Sequence, residues 1–555
     1  MKKFHSFFLQ KRAEKREVFG SLWYNLNMIK TINTINNYTP KQLKLPIEIE
    51  KIIDFSDSVY SFCEIIDCID LSKFFVVKGY KTGRPRCSRL KLLKVILFSF
   101  MENGYVSLRQ IEKSCKTDIR YMWLLDDMKA PSFVTLGNFI REDLTASIEN
   151  IFVEINKVIF EKENVDLEHT YIDGSKFEAN ANKYTWVWKK SCITNRDKVF
   201  KKVSELIEKI NIEELSLLNV KFEIRNEYAI EYLEEIISKY KELFSIEESK
   251  FVKGKGSRKT KWQRNYEVLV EYKERLKKYA KHIEICGDKR GSYSKTDKSA
   301  TFMRIKRDYM GNDQLLPAYN MQVAVCDEYI ATVDIKQYAA DVDCFIPLME
   351  KFREQYGKYP KYPVTDAGYG SFNNYIYCEK HGMEKFMKFT MFEKETKNEK
   401  YRNNPYRATN FKQDENGTLI CPNGKKFKFK YKQHVKGNNY GRTEEIYECE
   451  NCDNCTHKQD CCPKAKTNRT IKINRELTSM HEEVIKNLCS IQGALLCMNR
   501  SIQAEGTYGI IKWDKSYKRA KRKGLDNVML EFTLIACGFN LSKYHNKKNR
   551  IAKCA

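Results

Sequence analysis

The stretch His169–Lys176, HTYIDGSK, decides the fold. Tyr171 and Ile172 lead into Asp173, which ends a short apolar run of strand-forming type. Tyr362–Gly370, YPVTDAGYG, repeats the pattern: Val364 and Thr365 lead into Asp366, followed by small residues that let a substrate backbone approach. Between and beyond them, Thr301–Ile305 and Tyr319–Val325 read as strands, and Tyr329–Ile335 closes a hairpin across Cys326, Asp327 and Glu328. A helix is expected over Phe372–His381 and a further strand over Lys385–Met391. Mixed strands with a flanking helix make an α/β core that begins near Asp166.

A third carboxylate stands apart, in Asn499–Lys512, NRSIQAEGTYGIIK. Glu505 is its one acidic residue, and Lys512 follows two helical turns later on nearly the same face. Two carboxylates at strand ends with a third on a late helix suit divalent ions held against a phosphodiester. Mg²⁺, or Mn²⁺, prefers such hard oxygen ligands, and their mutual repulsion is relieved when the ion binds. An Asp after a short strand is also an ordinary turn former. Asp288, Asp297, Asp308, Asp327, Asp341 and Asp343 are rivals in the same core.

Lys and Arg number 99 against 73 Asp and Glu, a formal charge of +26 that favours a polyanionic partner such as DNA. A biased base composition is the competing explanation of so many lysines. The apolar run Leu92–Met101 is far short of a membrane span, and the start MKKFHSFFLQKR is too brief for a secretory signal. The 19 cysteines therefore read as reduced thiols or metal ligands in a soluble, cytoplasmic chain.

Residues 1–45 read as a flexible extension and 46–160 as an all-helical, helix-turn-helix-like DNA-binding domain entered through Arg84 and Arg86, with a plain helical packing domain as the other reading. In that domain Asn103-Gly104 ends one helix, and Ser107 with Gln110 begins the next. The core, 161–393, is interrupted at about 190–285 by a charged helical hairpin whose tip carries Lys253, Lys255, Arg258, Lys259 and Lys261. Trp186 and Trp188, alternating with Val187, read as a half-buried strand, with stacking on a frayed base as the other reading. A cysteine-rich insertion spans 394–474, a helical part of the core 475–546, and a basic tail 547–555.

Within the insertion, Cys452 and Cys455 with Cys421 and Cys461 have the spacing of a zinc ribbon, a structural Zn²⁺ site; Cys449 and Cys462 are substitutes and His457 a poor fifth choice. Cys87, Cys489, Cys497 and Cys537 read as small core residues. After the Glu505 helix, Lys515, Lys518, Arg519, Lys521, Arg522 and Lys523 form the densest cationic run, placed to bind the DNA backbone with Lys512.

The segments YIDGSKFEANANKYTWVWKK, TDAGYGSFNNYIYCEKHGMEKFMKFTMFEKE and the C-terminal block from Asn499 to Lys547 resemble the catalytic blocks of IS1182-group insertion-sequence transposases, within the IS4-like DDE assemblage. The run from Gly83 to Leu125 resembles their N-terminal helical domain, and the likeness extends from about Lys41 to Asn546. The resemblance implies an RNase H-like mixed-sheet catalytic core with a DDE triad at Asp173, Asp366 and Glu505. It also implies Mg²⁺-dependent cleavage of double-stranded DNA at terminal inverted repeats, strand transfer into target DNA, and a homodimer pairing two ends. The assemblage often places an Arg four residues before the catalytic Glu. Here Ser501 holds that slot, and Arg500, five residues before, falls about 140° away on an α-helix. Arg500 is therefore not expected at the site. A non-catalytic DNA-binding protein, or a nuclease that cuts without joining, are the alternatives.

Overall fold

Strand β1, His169–Glu178, does not stop at Asp173. It continues because β5, Leu315–Cys326, pairs with it antiparallel from Tyr171 opposite Val325 to Glu178 opposite Ala318. The strand end expected at Asp173 is thus corrected: its polar second half is carried by a full ladder of backbone hydrogen bonds. The computed structural model describes residues 52–75, 87–126, 128–216, 218, 220–252, 258–306, 311–415 and 417–554. Arg84, Arg86, Lys253, Lys255 and the extension at 1–45 lie outside them.

The short strands β2, Trp186–Trp188, and β3, Ser292–Ser294, pair with each other apart from the main sheet. The main sheet has the order β4–β5–β1–β7–β8, with β6 also on β5. β4, Thr301–Arg304, and β6, Tyr329–Lys336, share one edge of β5 and are both antiparallel to it. The β5–β6 turn has positive φ at Asp327 and Glu328, as a two-residue hairpin requires. β7, Tyr362–Thr365, and β8, Phe386–Met387, join parallel. The strand expected over Lys385–Met391 is cut to those two residues, as Phe389 turns inward to stack on His481.

Helices α1 (Ser58–Ile66), α2 (Arg89–Asn103), α3 (Leu108–Thr117), α4 (Ile119–Leu125), α5 (Phe133–Phe139) and α6 (Ile148–Glu163) precede the sheet. Their boundaries follow local chemistry: Gly104 ends α2 at φ +69°, and the Ser107 hydroxyl accepts from the Gln110 N–H to start α3. The insertion is three helices rather than a hairpin: α7 (Lys189–Glu213), α8 (Ile230–Leu243) and α9 (Lys261–Cys286). The extra break follows α7, where the Asn211 side chain pairs with both backbone groups of Phe222. The three helices bury a core of their own, including Ile207, Leu233, Ile236 and Leu269.

On the sheet lie α10 (Phe345–Tyr356) and α11 (Phe372–Lys380). The cysteine-rich insertion adds β9 (Lys412–Gln413) paired with β10 (Leu419–Ile420), and a three-stranded sheet of β11 (Phe427–His434), β12 (Thr443–Cys449) and β13 (Thr470–Ile473). The chain returns through α12 (Arg475–Cys489) and α13 (Ile491–Arg500), then α14 (Leu525–Cys554). Residues 547–554, expected as a tail, continue α14, with Lys547 bonded to the Asp327 carbonyl and Lys548 to Glu64. α14 crosses α2 closely, since a Cβ on Gly538 would lie 2.4 Å from the Phe100 carbonyl oxygen. One hydrophobic core accordingly runs from Ile53 through the sheet to Tyr544. Among the described residues no helix is long and apolar enough to cross a membrane.

Candidate active site

Parallel pairing brings the first two carboxylates together. Tyr171 is opposite Val364, so Asp173 on β1 and Asp366, just past the end of β7, each follow two residues later on neighbouring strands. Neighbouring strands are about 4.8 Å apart. Alternation along β1 sends Tyr171, Asp173, Ser175 and Phe177 to one face. That face is covered by the C-terminal helical segment. Asn499 donates to the Tyr171 hydroxyl, Tyr508 donates to the Met321 carbonyl at 2.7 Å and lies 3.1 Å from that of Asp173, and Lys512 sits over the Phe177 ring.

The segment that carries Glu505 is not a plain α-helix. Ser501–Glu505 and Ile510–Asp514 are π-turns, with Gly506–Gly509 between them. Hydrogen bonding from i to i+5 widens the turn and brings residues five apart onto one side. Arg500 consequently lies 2.8 Å from Glu505 and 3.9 Å from Asp173, linking the helix to β1. The expectation that Arg500 would point away is overturned, because it assumed 3.6 residues per turn throughout. Gly506 and Gly509 flank the irregularity and are the sequence signal for it.

Burial pushes the Asp173 carboxyl up to about 7; the charges of Asp366 and Glu505 push in the same direction, and Arg500 opposes them. As placed, no group of three or more His, Cys, Asp or Glu side chains among the described residues is gathered as a metal site. The residue types nevertheless suit a hard cation: Asp366 and Glu505 lie close enough to Asp173 to add to the effect of burial in disfavouring its charge.

Lys512 is directed into the protein. Its ammonium donates to the Ser175 hydroxyl at 2.6 Å and the Lys176 carbonyl at 3.0 Å, and burial lowers its pKa to about 8. Lys515 is likewise turned inward, donating to the Met101 and Glu102 carbonyls at the end of α2. Neither has the free ammonium expected of a backbone-binding residue. Lys518 is exposed and lies over the Trp513 ring at 3.4 Å, while Arg519 reaches the carbonyls of Ala179 and Ala181. Glu531, 1% exposed, accepts from the Tyr517 hydroxyl and from the backbone N–H groups of Lys521 and Arg522. This carboxylate, unnoticed in the sequence, fixes the loop from which Lys518, Lys521, Arg522 and Lys523 project. Backbone bonds between Glu178 and both Lys518 and Ala520 tie the loop to the end of β1, roughly 17 Å along the strand from Asp173.

In the second insertion Cys421, Cys449, Cys452, Cys455, Cys461 and Cys462 line one small cavity, all as free thiols. N–H groups point at four of the sulfurs: the Lys425 backbone at Cys421, the Arg469 backbone at Cys452, Asn423 at Cys455 and the Arg469 guanidinium at Cys461. Burial pushes the Cys449 thiol up to about 12. The tryptophans form the expected strand: Trp186 and Trp188 pair with β3, and Trp186 is half-exposed beside Tyr184 and Phe302.

Two of the three acids, Asp366 and Glu505, lie in segments that match known transposase domains, whereas Asp173 lies outside the matched ranges. Residues 249–482 and 420–545 each match a model described as a Transposase DDE domain, and residues 47–142 match the Transposase domain (DUF772). The chain is a transposase of the IS4/IS1182-like kind. No curated protein and no solved structure matches it. Membership implies an RNase H-like core for this transposase, and its mixed sheet has antiparallel β6, β5 and β1 followed by parallel β7 and β8.

Proposed function

We propose that the protein cuts double-stranded DNA at the terminal inverted repeats of an insertion sequence and joins the freed ends to target DNA, with Asp173, Asp366 and Glu505 as the catalytic carboxylates. The observation that carries this reading is the register of β1 against β7, which sets Asp173 beside Asp366 while Arg500 ties Glu505 to the same corner. In cutting, a water oxygen bonds to phosphorus as the P–O3′ bond breaks and the departing O3′ takes a proton. In joining, that 3′-hydroxyl attacks a target phosphorus and displaces its O3′ while losing its proton. Asp173, Asp366 and Glu505 would hold two Mg²⁺ or Mn²⁺ ions, which would supply activation of the attacking oxygen and stabilisation of the leaving one.

The chain's own groups set the geometry. Arg500 offsets the acids' mutual repulsion, and Lys512 holds the Ser175–Lys176 segment of β1 under them. The loop clamped by Glu531 lays its cations along the phosphate backbone, while the helices between Leu108 and Phe139, with Arg84 and Arg86, engage the repeat. Two copies pair the two ends in the cytoplasm.

The test is cleavage of a labelled duplex carrying the flanking repeat with Mg²⁺, comparing wild type with Asp173→Asn, Asp366→Asn and Glu505→Gln. Wild type cuts at the repeat boundary and the three variants bind without cutting. Variants that cut as well as wild type sink the assignment. Binding without cutting by all four favours a non-catalytic DNA-binding protein, and cutting without joined products favours a nuclease.

The cysteine cluster has a structural part in the same reading. Cys421, Cys452, Cys455 and Cys461 would hold one Zn²⁺, and the four N–H groups aimed at their sulfurs would support thiolate charge. Cys449 and Cys462, which line the same cavity, are the substitutes. Metal analysis of protein purified without added zinc should find one Zn²⁺ per chain, lost in Cys452→Ser/Cys455→Ser.

A further inference from the structure

The face of β1 opposite Asp173 is occupied by a buried polar network that the triad does not include. Gly174 points there, opposite Gln322 on β5. A Cβ on Gly174 would lie 2.2 Å from the Gln322 amide nitrogen and 2.8 Å from Asp341 Oδ1, so glycine is required because the network presses against the strand. Asp341 Oδ1 accepts from Asn320 Nδ2 at 2.6 Å and from Gln322 Nε2 at 3.1 Å. Both amides are fully buried, and the Asn320 amide oxygen is left without a partner while its nitrogen serves Asp341 and the Tyr338 carbonyl. The Gln322 oxygen in turn accepts from the Tyr369 hydroxyl.

Tyr369 belongs to the turn that presents the second carboxylate. Asp366 Oδ1 accepts from the Gly368 N–H at 2.9 Å and lies 3.1 Å from where a Cβ on Gly368 would be. Asp341 Oδ2 lies 3.6 Å from the same point. One acidic side chain thus supports β1 directly behind Asp173 and approaches the Asp366 turn from below. It is joined to that turn by the Gln322–Tyr369 chain.

We infer that Asp341 is a positioning residue of the transposase, fixing Asp173 relative to Asp366 through Asn320, Gln322 and Tyr369. This rests on the reading of Asp173, Asp366 and Glu505 as the catalytic carboxylates. Without the Oδ1 acceptor, two buried amides lose a partner and must reorient, and Tyr369 loses its fixed neighbour. Groups that orient metal-binding side chains in this indirect way typically matter 10- to 100-fold for metal affinity.

The experiment is Mn²⁺ binding to the full chain by isothermal titration calorimetry in the absence of DNA, with unfolding midpoints measured alongside. Asp341→Ala binds Mn²⁺ at least tenfold more weakly than wild type. Asp341→Asn, which keeps an acceptor oxygen, stays within about threefold of wild type. Tyr369→Phe weakens binding, and the Asp341→Ala/Tyr369→Phe double variant is no weaker than Asp341→Ala, since both cut the same chain. Wild-type affinity in Asp341→Ala overturns the inference. So does an Asn variant as weak as Ala, which would make the charge itself the requirement. If Asp341→Ala does not fold, Tyr369→Phe decides alone, and unchanged affinity there is fatal. Wild type that binds no Mn²⁺, or Asp173→Asn that binds it normally, removes the underlying triad instead, a result recognisable before any Asp341 variant is compared.

Discussion

The catalytic sheet and the cysteine-rich insertion are organised by different physics. Around Asp173 the position of each functional group is determined by packing: strands paired on both sides, a helical segment over one face, an amide network behind the other. In the insertion the buried apolar cluster consists of Phe411, Leu419, Phe427, Cys449, Cys452 and Ile471, and much of β11 is exposed. The helical insertion, by contrast, has fifteen buried residues in its own cluster among the described residues. A region with a sufficient core can carry repelling carboxylates at its edge. A region without one depends on a cross-link, and here cysteines are gathered at the place where a cross-link would act.

The sharpest way to separate the two is to remove each proposed ion's ligands. Asp173→Asn is expected to abolish cleavage, by more than about a thousandfold, yet to leave the fold intact. Without divalent ions it should even stabilise the protein by about 1 kcal/mol, because a carboxyl buried beside two acids becomes a neutral amide. Thermal unfolding in chelator checks this; a large loss of stability would show that the sheet depends on its carboxylates after all. Cys452→Ser/Cys455→Ser should do the reverse. Structural Zn²⁺ contributes on the order of 10 kcal/mol to folding small domains. Hydrogen exchange should therefore lose protection in β11, β12 and β13 while β1 and β5 stay protected. Equal protection in both regions with and without chelator would mean that the insertion needs no metal.

The same contrast explains what could be read from the sequence. The β5–β6 hairpin, the helix after Asp366 and the boundary at Gly104 were legible because each rests on local chemistry. The proposed triad was legible as residue types, but the pairing of Asp173 with Asp366 is a non-local register over nearly two hundred residues. Arg500 was misjudged because the π-turn at Ser501–Glu505 changes the helical period between it and Glu505, and only the glycine that follows, Gly506, hints at it. Lys512 and Lys515 carried the right charge, but their inward direction depends on Ser175 and on the end of α2, distant in the chain. Asp341 was visible only as one of several acids in the core. Its relation to Gly174 appears only when β5 is laid beside β1.

A smaller effect sharpens the packing half of the comparison. Gly174→Ala would force its methyl group into the Gln322 amide and Asp341, and overpacking of this kind costs roughly 1–3 kcal/mol. If the network positions the carboxylates, Mn²⁺ affinity falls along with stability. Pairing Gly174→Ala with Gln322→Ala opens the space and should recover part of the stability without recovering the affinity. Recovery of both would assign the network to packing alone.

The smallest effect is expected where the two regions meet. His481 lies on α12, which leads out of the insertion, and its ring stacks on Phe389 at 4.0 Å with Tyr375 edge-on to it. Burial lowers its pKa from 6.5 to about 4, and the nearby charge of Arg442 adds to the shift. Between those values the unfolded chain carries a proton on this ring that the folded protein does not. The contribution of His481 is therefore complete above about pH 6.5, declines as the pH falls, and is exhausted near pH 4. Allowing for partial exposure, the loss is at most about 2 kcal/mol. His481→Phe should keep the stacking and remove this share of the acid sensitivity, so the variant's unfolding midpoint falls less than wild type's between pH 6.5 and pH 4. Identical slopes would place the acid sensitivity elsewhere and leave His481 a packing residue whose protonation the junction tolerates.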